Sequence, residues 1–250
     1  MRIGQIVPSS NTTMETEIPA ILRGREAMIP GDRFTFHSSR MRMKKVTKEE
    51  LAAMDRDSLR CAAELADAQV DVIGYACLVA IMSMGRGYHI TSKQALHARM
   101  SEEGYAAPVI TSAGALIDEL TLAGIRSISL VTPYMPALTD LVVDYIRHQG
   151  IAVVDSIALA IPDNLEVGRR DPMALLRDVE RLNTDGADLV VLSACVQMPS
   201  LPAVPLVEDK LGMPVTSAAI CTTKSMLRAL DLDPVAPDAG FILSAAASRS

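Results

Sequence analysis

The chain has 250 residues, 49% of them hydrophobic and 22% charged, with a formal net charge of −6. This length and apolar content exclude disorder and provide for one sizeable α/β unit or two compact lobes. The acidic balance excludes nucleic acid as a partner, because phosphate binding requires a basic face.

Taken in chain order, the first strand, Ile3 to Val7, follows an N-terminal stretch whose apolar part is too short for a signal peptide, which predicts a cytoplasmic, reducing setting. That strand runs into Ser9-Ser10-Asn11-Thr12-Thr13. A helix N-cap by Ser10 or Asn11 explains one of these residues, but the run of small polar groups exceeds that need. A donor-rich loop at a strand end suits a carboxylate, and Asn11 is the candidate contact. The second strand, Phe34 to Ser38, leads to a basic cluster of Arg40, Arg42, Lys44 and Lys45, either a solvated loop or a steering patch for anionic substrates. Thr47-Lys48-Glu49-Glu50 is a capping box ahead of a helix carrying Leu51, Met54, Leu59, Ala62 and Leu65.

The third strand, Val70 to Tyr75, ends at Cys77. Gly85-Arg86-Gly87 then reads as a turn or a hinge, and no glycine-rich phosphate loop occurs anywhere. Strands follow at Val109 to Thr111 and at Ser127 to Val131, the second ending near Tyr134, whose amphipathic ring also suits an interface. Ala152 to Ala160 leads to Pro162-Asp163-Asn164, where a turn accounts for Asn164 as well as a site role does. Asp171-Pro172 starts a predicted helix through Leu175, Leu176, Val179 and Leu182. Leu189 to Ser193 ends at Cys195, and Val215 to Ser217 precedes a last helix from Ala218. The segment Ala245 to Ser250 is small and polar, and fraying is expected there.

Strands alternating with helices imply parallel sheets, and no apolar run approaches the roughly 18 residues of a membrane span. The order repeats at about half the chain length. Ile6-Val7-Pro8-Ser9 answers Val131-Thr132-Pro133-Tyr134, Ala76-Cys77 answers Ala194-Cys195, and Pro108-Val109-Ile110-Thr111 answers Pro214-Val215-Thr216-Ser217. The expected fold is therefore α/β: two similar doubly wound lobes with parallel four-stranded sheets, related by a pseudo-two-fold axis. Residues 1–113 with 218–250 are assigned to the first lobe and 114–217 to the second.

Such an axis brings Cys77 and Cys195 to one interlobe cleft, at the strand ends where open α/β sheets bind ligands. Two thiols there can serve as nucleophile and acid, or as acid and base on opposite faces of a carbon acid. Cys61, within an alanine-rich helix, and Cys221 read as core. The four cysteines lack C-x-x-C spacing and the four histidines are scattered, so no metal site is expected.

Through Val7-Pro8-Ser9-Ser10-Asn11-Thr12, Ala76-Cys77-Leu78-Val79, Thr132-Pro133-Tyr134 and Ser193-Ala194-Cys195-Val196-Gln197, the chain resembles the maleate cis-trans isomerases of the aspartate/glutamate racemase superfamily. The resemblance implies Cys77 as nucleophile and Cys195 as proton donor. It also implies a dicarboxylate held by Asn11, Tyr134, Asn164 and backbone groups of Leu78, Val79 and Val196. No cofactor, a homodimer and a place in the breakdown of aromatic compounds are further expectations. Racemases of the superfamily follow a catalytic cysteine with Asn-Thr, whereas Leu78-Val79 and Val196-Gln197 stand here. Arylmalonate decarboxylases usually keep only the second cysteine, so Cys77 speaks against decarboxylation.

A thiol is only a few per cent ionised at neutral pH, so backbone N–H groups are expected to depress the pKa of Cys77 while Cys195 stays protonated. Two alternatives remain at this level: a two-cysteine racemase without cofactor, and a noncatalytic dicarboxylate-binding module.

Overall fold

The computed structural model describes residues 1–44 and 47–247. In chain order the elements are β1 (Arg2–Pro8), α1 (Met14–Met28), β2 (Thr35–Met41), α2 (Lys48–Asp67), β3 (Val72–Tyr75), α3 (Leu78–Ser83), α4 (Tyr88–Glu102), β4 (Val109–Thr111) and α5 (Ser112–Leu122). The second half repeats the pattern with β5 (Ser127–Thr132), α6 (Pro136–His148), β6 (Ala152–Ala158), α7 (Asn164–Arg169), α8 (Leu175–Asp178), β7 (Leu189–Ser193), α9 (Val204–Leu211), β8 (Val215–Ser217) and α10 (Ala218–Ala229).

Two four-stranded sheets result, ordered β2-β1-β3-β4 and β6-β5-β7-β8, with every pairing parallel. The orders are the same, which is the structural form of the repeated strings. The central strands carry continuous apolar runs because helices cover both faces. Every residue of β3 and β7 is buried, whereas the edge strands β2 and β6 alternate toward solvent. The last helix, α10, packs on α1, α5 and β3. Its approach to β3 depends on Gly74, where a Cβ would lie 3.1 Å from Met14 Cε and from Met226 Sδ.

The start of α2 is capped as the sequence predicts, with Thr47 Oγ1 accepting the Glu50 N–H at 3.3 Å. The Glu50 carboxylate also accepts the Lys44 N–H at 2.6 Å. The single helix expected after Asp171 is corrected: a 3₁₀ turn at Pro172–Ala174, α8, and a second 3₁₀ turn at Val179–Arg181 stand in its place. Asp171 does cap Met173 N–H at 2.9 Å, but burial of Leu175 and Val179 against the lobe overrides helical continuity. Lys45 of the basic cluster, and Ser248 to Ser250 of the segment expected to fray, lie outside the described residues. Among the described residues no helix is long and apolar enough to cross a membrane.

Candidate active site

In each sheet the chain leaves the first-formed strand toward one edge and returns on its other side, so the order reverses between β1 and β3, and again between β5 and β7. Such switch points leave a crevice. The same hydrogen bond closes both. Ala76 N–H donates to the Ile6 carbonyl at 2.9 Å, and Ala194 N–H donates to the Val131 carbonyl at 3.0 Å. Each bond prolongs the strand by one residue and delivers the next one, Cys77 or Cys195, into the crevice.

The two crevices face one another around a cavity of about 20 Å³. Asn11, Cys77, Val79, Tyr134, Asn164, Cys195 and Val196 line it, together with Pro8, Met43 and Gln197. Of the residues proposed from sequence, Leu78 alone is not a lining residue; it is buried in the first turn of α3. A second cavity of about 450 Å³ shares Tyr134 and Asn164 as walls and opens beside Lys44 and Thr47.

Asn11 is 2% exposed, and its Oδ1 accepts the N–H groups of Thr13 at 2.9 Å and Met14 at 3.0 Å. This corrects the expected N-cap at Ser10 or Asn11: Thr13 is the N-cap of α1, and Asn11 braces the turn before it while lining the cavity. Asn164 opens α7, donates from Nδ2 to Ser10 Oγ at 2.8 Å, and is preceded by Asp163, which caps the helix. Arg40 enters unforeseen as a brace for this loop. It pairs with Glu15 at 2.9 Å and donates to the carbonyls of Ser9 at 3.1 Å and Asn11 at 2.5 Å.

Tyr134 shares the cavity with both thiols. Its hydroxyl donates to the Ala194 carbonyl at 3.3 Å and also meets Cys195 Sγ and the Val79 N–H. Burial, with the negative charge either thiol would carry, holds its pKa well above the ordinary phenol range. Burial likewise pushes the Cys77 thiol up to about 12, opposed by the Ala80 N–H. This corrects the expected depression of Cys77: one backbone donor does not offset enclosure of the sulfur and the proximity of Cys195. Cys195 is also raised by burial, against the Tyr134 hydroxyl and the N–H groups of Gln197 and Met198; the nearby Glu17 adds to the rise.

Cys61 and Cys221 are fully buried core residues. The glycines flanking Arg86 have positive φ, and Arg86 pairs with Asp144 at 3.0 Å in an exposed turn. None of the histidines lines the cavity; His89 meets the Tyr145 hydroxyl at 2.5 Å. Among the described residues no group of three or more His, Cys, Asp or Glu side chains is placed to hold a metal ion. A larger cavity of about 540 Å³ lies along β4, α4 and α5, and neither cleft cysteine lines it.

The arylmalonate decarboxylase family model matches residues 3–243. A maleate isomerase of Pseudomonas putida is 61% identical over 245 residues, covering 98% of each chain. A crystal structure of a maleate isomerase from Pseudomonas putida, a cysteine-to-alanine variant with maleate, superposes with a TM-score of 0.96 at 59% identity, covering 98% of both chains. A cysteine-to-serine variant of the Nocardia farcinica maleate cis-trans isomerase, with a covalently bound succinylcysteine intermediate, gives 0.92 at 44% identity over 97% of each chain. The chain belongs to the maleate isomerases, within the arylmalonate decarboxylase family.

Proposed function

We infer that this protein converts maleate to fumarate without a cofactor, through a succinyl adduct on Cys77. The observation that carries the reading is the pair of cysteines presented by equivalent strand ends to one cavity, with Tyr134 beside them. Family membership supports the substrate.

The chemistry follows from the bond that must turn. A carbon–carbon double bond does not rotate thermally, so it has to be lost and restored. The Cys77 thiolate adds to C2, forming the C–S bond, and the π electrons move to C3. Cys195 Sγ–H delivers its proton there. The C2–C3 single bond rotates. The Cys195 thiolate then withdraws a proton from C3, and the C–S electrons return to Cys77 as fumarate forms. Atoms and charge balance with one negative charge carried by the thiol pair throughout.

Burial makes that single charge expensive and two charges more so. In this scheme Cys77 loses its proton to solvent before attack while Cys195 keeps its own, and the donors around Cys195 stabilise its thiolate once that proton has gone to C3. Asn11, Tyr134, Asn164 and the backbone groups of Leu78, Val79 and Val196 hold the substrate carboxylates in this scheme. Incubating desalted, chelator-treated protein with maleate is expected to yield fumarate; turnover of aspartate, glutamate or hydantoins instead would reassign it to the racemases.

A further inference from the structure

Asn11 and Asn164 sit on loops of different lobes, and a third loop carries Cys195. One side chain ties all three together. Gln197 is 2% exposed, and its Oε1 accepts the Thr12 N–H at 2.8 Å. Its Nε2 donates to the carbonyls of Ser10 at 3.1 Å and Asn164 at 2.6 Å. Its own backbone N–H points at Cys195 Sγ at 3.4 Å.

Both amide hydrogens are used, and the amide has one acceptable orientation. Turned over, its oxygen would face two carbonyls and its NH₂ would face an N–H. The bonds to Ser10 and Thr12 pin the backbone on either side of Asn11, and the bond to Asn164 pins the start of α7. Helix α7 leaves room for this at Gly168, where a Cβ would fall 2.5 Å from Gln197 Nε2 and 2.5 Å from Thr12 Oγ1.

We propose that Gln197 is a positioning residue for the isomerisation, setting Asn11 and Asn164 at a fixed register against Cys195. The proposal rests on the reading above, in which those asparagines hold the substrate carboxylates. Gln197 touches the site loops without needing to touch the substrate, and a misplacement of about 1 Å in such groups costs on the order of a hundredfold in rate.

The test is steady-state kinetics on maleate for Gln197→Met, which keeps the length of the side chain and removes its hydrogen bonds, alone and combined with Asn11→Ala. The expected result is a fall of about ten- to a hundredfold in kcat/KM with a raised KM. In the Asn11→Ala background the same substitution is expected to cost less than it does in the wild type, because one of the two groups it positions is gone. Wild-type kinetics for Gln197→Met, or a full additive loss in the double variant, would overturn the proposal. Should Gln197→Met not fold, Gly168→Ala reads the same register by displacing Nε2, and unchanged kinetics there would also overturn it. If Asn11→Ala and Asn164→Ala behave as wild type while Gln197→Met is impaired, the carboxylate reading falls and the positioning role falls with it. Fumarate formation in all of these variants would still leave the covalent mechanism standing.

Discussion

Cys77 and Cys195 occupy the same place in two copies of one strand order, yet their sulfurs meet different surroundings. Cys77 has a left-handed backbone, φ 80° and ψ 74°, rare for a residue with a side chain. It remains half-buried and has the Ala80 N–H as donor. Cys195 is buried and faces the Tyr134 hydroxyl and the N–H groups of Gln197 and Met198. The repeat therefore supplies the pairing, while the loops beyond each strand supply the difference. A donor-rich pocket suits the sulfur that must carry charge after giving up its proton. Fewer donors hold charge at Cys77, which suits the sulfur proposed to add to carbon.

Removing either thiol breaks the comparison most severely. Cys77→Ala and Cys195→Ala are each expected to lower kcat at least about a thousandfold. They should differ in kind: Cys195→Ala retains maleate binding by calorimetry, and Cys77→Ala forms no adduct. The groups around the pair come next. Asn11→Ala, Tyr134→Phe and Asn164→Ala each remove hydrogen bonds to a charged group, worth about 1.5–3 kcal/mol, so kcat/KM falls about ten- to a hundredfold. Unchanged kinetics for Asn11→Ala would leave that residue as a brace for the turn alone.

The pH profile sharpens the contrast with a smaller effect. Burial raises both thiols, and the active form in this scheme carries one negative charge. The rate constant kcat/KM is therefore expected to rise with pH, about tenfold per unit, up to the apparent pKa of the pair, which the same burial places above the ordinary thiol value of about 8.5. Glu17 accepts the N–H groups of Ser200 and Leu201 at 2.5 and 2.6 Å, and its charge raises Cys195. Glu17→Gln keeps an acceptor and removes the charge, so the profile should move to lower pH by less than about one unit. A shift to higher pH would contradict the electrostatic account.

Much of this was legible in the sequence for a physical reason. Strands buried on both faces must be continuous apolar runs, so Val72–Tyr75 and Leu189–Ser193 announce themselves, and the cysteines beyond them follow. The changes from 3₁₀ to α at Leu175 and back at Val179 were not legible, because the apolar residues there are spaced for one continuous helix. Asn11 could be read two ways because it does one thing with its oxygen and lines the cavity as well. Arg40 and Gln197 were missed as loop braces, since their partners are backbone carbonyls, which leave no trace in residue identity. The pKa of Cys77 was misread because a strand-end N–H is visible in sequence and the closure of the opposite lobe over the sulfur is not.

The division of labour between the two cysteines is the central claim, and trapping the intermediate tests it most directly. Enzyme quenched in acid during turnover of maleate and mapped by peptide mass spectrometry should carry one succinyl group in thioether linkage on Cys77. The core residues Cys61 and Cys221 serve as internal controls for slow alkylation of ordinary thiols. An adduct appearing first on Cys195, or equally on all four cysteines, would contradict the assignment.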